Sequence, residues 1–261
     1  MHPALWVSVT GLEAQNNDIR VISNNLANVN TTGFKKDRVV FEDLLYQNVR
    51  QPGAQSSEST EIPTGLLLGT GVKTVATQKN HGQGSVIQTD NPLDLSINGK
   101  GYFQVLRPDS STSYTRDGQF HLNANGEVVT ANGYALQPSL SIPANTTSIT
   151  IGTDGVVTVL TQGSVTPTQI GSVQTASFIN PAGLQPIGEN QFLETAASGS
   201  PTTGTPTSNG LGSLLSGSLE TSNVNVVEEL VRLIETQRAY EMNSKAVETV
   251  DGMLRNLVQV L

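Results

Sequence analysis

Apolar residues recur every seven positions near the start of the chain, at Leu5, Leu12, Ile19 and Leu26, with Val9, Ile22 and Val29 beside them. That spacing predicts a helix from residue 3 to about 30, with a coiled-coil-like seam. Pro3 suits a first helical position. Gln15 and Asn16 interrupt the seam, and Gly11 weakens the helix slightly. Gly33 offers a left-handed stop. A second, stronger helical pattern begins at Asn225, a side-chain cap with Glu228 three positions on. One seam runs through Val226, Leu230, Leu233, Gln237, Tyr240, Val247 and Leu254; a second, through Ala239, Met242, Ala246, Val250 and Met253, widens it. At about 1.5 Å per residue the two helices reach roughly 40 and 54 Å. Helices of that length are not expected to pack inside a compact domain of this size.

Between them the period shortens to two. Strand-like runs such as GYFQVLR, GEVVT, SITIG and VVTVL alternate with turn pairs at Asn98-Gly99, Asp117-Gly118, Asn125-Gly126, Asn132-Gly133 and Asp154-Gly155. The fold class expected is α+β: long N- and C-terminal helices in a coiled-coil-like layer around a central, mainly antiparallel, all-β domain. Residues 1–45 with 221–261 read as a discontinuous helical assembly domain, and 66–220 as the β-rich domain. The segment 46–65 between them carries Pro52, Gly53, Pro63 and Gly65 and a run of small and acidic residues, which on composition alone is a flexible linker.

Charge narrows the function classes. Charged residues are only 14% of the chain and the net charge is -8. From Ser139 to Ser218 only Asp154, Glu189 and Glu194 are charged. With no basic run, nucleic-acid binding is not expected. No apolar run approaches the length of a membrane span, so membrane insertion is not expected. The N-terminus lacks the basic and apolar regions of a cleaved signal peptide. There is no cysteine, so neither a disulfide framework nor a thiolate metal site is open to this chain. His2, His81 and His121 are not at metal-ligand spacing. Gly82-Gln83-Gly84-Ser85-Val86 fails as a nucleophile elbow, and no phosphate-binding loop appears. The expectation is a non-enzymatic protein without cofactor or metal.

The two ends and the centre together resemble one family. SVTGLEAQNNDIRVISNNLANVNTTGFK and LETSNVNVVEELVRLIETQRAYEMNSKAVETVDGML are similar to the terminal signatures of the bacterial flagellar rod and hook family. NPLDLSINGKGYFQVLRPDSSTSYTRDGQFHLNANGEVV resembles the β-domain of its rod and hook members. ALWVSVTGL, FEDLLYQNVRQPGAQSSE and SNVNVVEELV resemble its distal-rod branch. One local departure is VLRPDSSTSY, which lacks a Pro-Asp-Gly turn.

The resemblance implies a structural subunit that self-assembles with copies of itself into a helical tube in the flagellar basal body. That rod crosses the periplasm, transmits torque and houses the export channel. It implies export by the flagellar type III apparatus without a cleaved leader, and contacts with proximal-rod and hook-side axial proteins and with outer rings acting as a bushing. The subunit interface is then expected on the helical seams, at Leu5, Leu12, Ile19, Ile22, Leu26, Leu230, Leu233, Gln237, Tyr240, Val247 and Leu254. Asn24, Asn25 and Asn28 are expected to hydrogen-bond between copies and fix register. The 46–65 segment is expected to wedge between neighbours and stiffen the rod. Isolated, such helices lack a partner for their stripes and are expected to order on assembly. The alternatives are a proximal-rod or hook subunit of the same family, or a secreted β-rich binding module with oligomerising helices. The second lacks an aromatic platform, since the single tryptophan, Trp6, falls in the first helix.

Overall fold

The computed structural model describes residues 3–53, 55–57, 60, 61, 63–164 and 166–260; His2 and Leu261 lie outside them. The fold class is α+β, as the sequence pattern indicates: one long helix near each end and antiparallel strands between. Helix α1 spans Pro3–Ala27 and helix α2 spans Val226–Val260. The chain divides into two compact units. The first comprises residues up to 26, 37–78 and 225 onward; the second comprises 27–36 and 79–224.

In the first unit, α2 starts as its cap residue dictates. Asn225 Oδ1 accepts hydrogen bonds from the N–H groups of Val227 and Glu228, at 3.0 and 3.4 Å. Glu228 and Glu229 lie in its first turn, at the positive end of the helix dipole. Strands Asp37–Asp43 and Val72–Lys79 pair with each other. The 46–65 region, a linker by composition, is instead an antiparallel ribbon. Gln47–Arg50 pairs with Leu66–Leu68, and Gln55–Ser57 pairs with Thr60–Glu61. Gly65 allows its neck to close, because a Cβ there would lie 2.5 Å from the Arg50 carbonyl oxygen.

The second unit is built on strand Tyr102–Leu106, which pairs with Thr112–Thr115, Ala135–Gln137 and Thr175–Ser177. Its alternation buries both faces. Phe103 joins a core with Leu95, Ile97, Phe120, Leu136 and Val157, while Tyr102 joins a second cluster with Tyr114, Phe178 and Phe192. Three expected hairpins form, at Asn125-Gly126, Asn132-Gly133 and Asp154-Gly155. The other two turn pairs do something else. After Asn98-Gly99, strand Leu95–Asn98 takes its partner from far along the chain, Ser213–Ser216. Asp117-Gly118 also joins strands that do not pair with each other; a Cβ on Gly118 would lie 1.6 Å from the Leu95 carbonyl oxygen. The segment after residue 212 therefore closes the unit over its own beginning, and Ser218–Glu220 pairs with Val86–Gln88 in the same way.

The Arg107-Pro108-Asp109-Ser110 turn forms despite its missing glycine. Ser110 N–H donates to the Arg107 carbonyl at 2.9 Å, and Ser110 sits at φ 63°, where a Cβ is disfavoured. Ser110→Gly is expected to raise unfolding stability by about 0.5–1 kcal/mol, read from the urea midpoint at unchanged slope; a lower midpoint would show that the serine side chain, not the backbone angle, holds the turn.

Candidate assembly interface

The helical part of the candidate interface has an inner and an outer side. On α1 the buried residues are Ala14, Asp18, Ile22 and Asn25. Leu5, Leu12, Ile19 and Leu26 are half-buried. On α2, Leu233 and Val247 are half-buried, whereas Leu230, Gln237, Tyr240 and Leu254 are exposed. The outer sides keep large apolar side chains in solvent: Trp6 and Val9 on α1, and Val227, Val231 and Ile234 on α2.

The three asparagines that end α1 divide between two tasks. Asn24 is exposed. Asn25 does not face other copies as expected: it is 0% exposed and engaged inside its own chain. Its Nδ2 donates to the Asp37 carbonyl at 2.8 Å, and its Oδ1 accepts from Asp37 N–H at 2.9 Å. The amide thus serves as a strand-like partner for the start of Asp37–Asp43, and Nδ2 also reaches Glu229 Oε2 at 3.3 Å. Asn28, half-buried, accepts from Thr31 Oγ1 at 3.2 Å in the turn that follows the helix. An amide that carries both a donor and an acceptor can replace a missing backbone neighbour, which leucine cannot.

In the ribbon, Pro52, Gly53 and Pro63 are exposed and Gly65 is half-buried. Gly53 adopts φ 77°, a conformation that suits glycine. Leu45 is 90% exposed, and Tyr46, Val49, Leu66, Leu67 and Leu68 are all about half exposed or more. A two-stranded ribbon with apolar side chains in water is marginal by itself, and exposed apolar surface of this extent is uncommon on a free-standing protein.

In the second unit lies a feature the sequence pattern did not single out. Glu220, 1% exposed, accepts from Lys35 Nζ at 2.6 Å, Arg116 Nη1 at 3.1 Å and Gly84 N–H at 2.9 Å. Lys35 also donates to the Gly82 carbonyl, and Arg116 to those of Ile97 and Gly99. Burial pulls the Lys35 ammonium below the ordinary lysine range, opposed by the Glu220 carboxylate. Nearby, Asn223 accepts from Lys36 N–H and donates to the carbonyls of Asn80 and Gly82. The sequence signal for this hub is a lone carboxylate: Glu220 is the single charged residue between Glu194 and Glu228.

His81 borders the same cluster, its Nδ1 2.7 Å from the Tyr102 hydroxyl. Burial, aided by the positive charges of Lys35, Lys79 and Arg116, pushes its imidazole down to about 4. Burial likewise pushes the Tyr102 phenol up to about 12. A depressed histidine favours the folded state only while the ring is neutral. As pH falls from about 6.5 toward 4, the unfolded chain takes up a proton that the folded chain refuses, so stability falls. His81→Gln is expected to remove roughly 1–3 kcal/mol of the loss between pH 7 and pH 4.5, measured by urea unfolding at both values. An unchanged loss in the variant would contradict the assignment.

Among the described residues no group of three or more His, Cys, Asp or Glu side chains is placed to hold a metal ion, and no helix is long and apolar enough to cross a membrane. Three segments of the chain match known families. Residues 5–35 match the family described as flagella basal body rod protein. Residues 96–159 match the flagellar hook protein FlgE/F/G D1 domain, and 215–260 the flagellar basal body rod FlgEFG protein C-terminal family. The flagellar basal-body rod protein FlgG of Buchnera aphidicola from Acyrthosiphon pisum is 52% identical over 100% of both chains. Those of Caulobacter vibrioides and Bacillus subtilis are 48% and 35% identical over 98% of each chain. With matched segments at both helical ends and in the β unit, and full-length similarity at this level, the chain belongs to the flagellar basal-body rod protein family.

Proposed function

We propose that this chain is the structural subunit of the distal rod, polymerising into a stiff helical tube that transmits torque and encloses the export channel. The observation that carries this reading is the outer side of the helix pair. Val227, Val231 and Ile234 lie at helical spacing and are 70%, 50% and 51% exposed. About 25 cal/mol is available per Å² of such surface removed from water, and other copies of the chain are the partner this reading supplies. The half-buried seam positions of α1 and the exposed ones of α2 form this interface, and the 46–65 segment, flanked by the exposed Leu45, Leu66, Leu67 and Leu68, wedges between neighbours and resists sliding. The sparsely charged stretch from Ser139 to Ser218 in the β unit lets copies approach with little like-charge repulsion. In this reading the tube crosses the periplasm, its neighbours are proximal-rod and hook-side axial proteins and the surrounding rings, and export is through the flagellar type III apparatus. The role is mechanical rather than catalytic.

Removing residues 1–45 would strip Lys35 from Glu220, so exposed point changes give the cleaner test. Sedimentation velocity over a concentration series is expected to show the parent chain growing into large assemblies. Val231→Lys with Ile234→Lys should remain monomeric at the same concentrations, with unchanged circular dichroism. A parent chain that stays monomeric throughout, or a variant that grows as readily as the parent, would overturn the reading.

A further inference from the structure

The polar contacts between α1 and α2 keep a single heptad register. Stepping back by sevens along α1 gives Asn25, Asp18 and Gly11; stepping forward by sevens along α2 gives Glu229, Thr236 and Asn243. These meet in pairs, so the helices run antiparallel. Asn25 Nδ2 donates to Glu229 Oε2 at 3.3 Å. Thr236 Oγ1 shares its proton between the Arg232 carbonyl at 2.8 Å and Asp18 Oδ2 at 3.2 Å, and Arg232 Nη2 donates to Asp18 Oδ1 at 3.2 Å. At Gly11 a Cβ would lie 3.0 Å from Asn243 Nδ2, so the smallest residue stands where the asparagine comes closest. Asp18, Asn25 and Glu229 are all buried.

The apolar pattern does not choose this alignment. Shifting α2 by one heptad in one direction sets Ile22 opposite Ala239, Ala14 opposite Val247 and Gly11 opposite Val250, a seam as apolar as the observed one. It would take Asp18 from Arg232 and Thr236 to a place opposite Asn243, exchanging an ion pair for an amide, and would carry buried Glu229 away from Asn25 and past the end of α1. The opposite shift would set Asp18 against Glu229, two carboxylates in a buried seam. Leucine and valine tolerate such slips, whereas buried polar partners do not.

We propose that Asp18, Asn25, Glu229 and Thr236 form a polar lock that selects one antiparallel alignment of α1 and α2. It thereby fixes how the outer residues Trp6 and Val9 stand relative to Val227, Val231 and Ile234. Its consequence for polymer growth rests on the rod reading above; the alignment itself does not.

The chain has no cysteine, so paired cysteines report alignment without background. Gln15→Cys with Ala239→Cys marks the observed register, and Gln15→Cys with Ala246→Cys marks the one-heptad slip. Each pair is treated with a short bis-maleimide in the full-length chain, dilute enough to be monomeric, and mixed single-cysteine chains show that products are intramolecular. In the parent background only the 15–239 pair is expected to close. With Asp18→Leu, Glu229→Leu and Thr236→Val added, the 15–246 product should rise about tenfold, with helical circular dichroism retained. Continued closure of 15–239 alone would show that apolar packing sets the register and overturn the proposal. Loss of both products together with the helical signal would also overturn it, since the three substituted residues would then support helix formation rather than alignment. A chain that keeps this alignment but never polymerises would instead count against the rod reading.

Discussion

Glu220 holds together the parts of the second unit that are most distant in sequence. Its carboxylate gathers an ammonium from residue 35, a guanidinium from residue 116 and a backbone N–H from residue 84. Taking three charges out of water costs several kcal/mol each, and their mutual attraction offsets this only when the hydrogen bonds are complete. Here Lys35 and Arg116 spend further donors on backbone carbonyls. Leaving one such group without its partner costs about 3–5 kcal/mol, so the three side chains stand or fall together. The segments they fix are 33–36 and 220–223, which lead by covalent connection back to α1 and on to α2. Gly33 belongs to the same arrangement: at φ 68° it lies against the backbone of Arg116 and Asp117, where a Cβ would approach to 2.6 Å.

The first unit follows a different rule. Its helices do find a partner within one chain, each other, but along a face that is substantially polar. Asp18, Asn25 and Glu229 are buried there, while Trp6, Val227 and Ile234 are left in water. A free-standing protein would be expected to place these sets the other way round. Polar contacts on the inside specify geometry at modest net stability, and apolar residues on the outside leave most of the hydrophobic gain to association. A subunit that must stay separate until it reaches a growing end, and then bind firmly, is served by that division.

Both helices and the all-β centre were legible from periodicity, because amphipathic spacing and Asn-Gly turns are local signals. Asn225 as a cap and Gly33 as a left-handed position were legible for the same reason. What escaped was non-local. Leu95–Asn98 looked like the first arm of a hairpin, yet its partner is Ser213–Ser216, and no turn residue encodes a pairing across that distance. Asn25 looked like a contact between copies because a mid-seam amide has that meaning in coiled coils; its real partner, the backbone of Asp37, becomes visible only once the chain has turned back on itself. Composition called the 46–65 segment a linker because its prolines and small residues hide the short strands on either side. Nothing in the sequence pattern joined Lys35, Arg116 and Glu220; the isolation of Glu220 among uncharged residues marks one member, and only the fold brings the other two to it.

Hydrogen exchange on the backbone amides of free and polymerised chain reads out which surfaces the copies cover. If the outer helix faces are the surfaces that copies cover, protection in α1 and α2 should rise sharply on polymerisation, while the strands around Tyr102–Leu106 keep the protection they already have. Helices equally protected before and after, with the gain confined to strands of the β unit, would contradict it and move the interface onto the β surface.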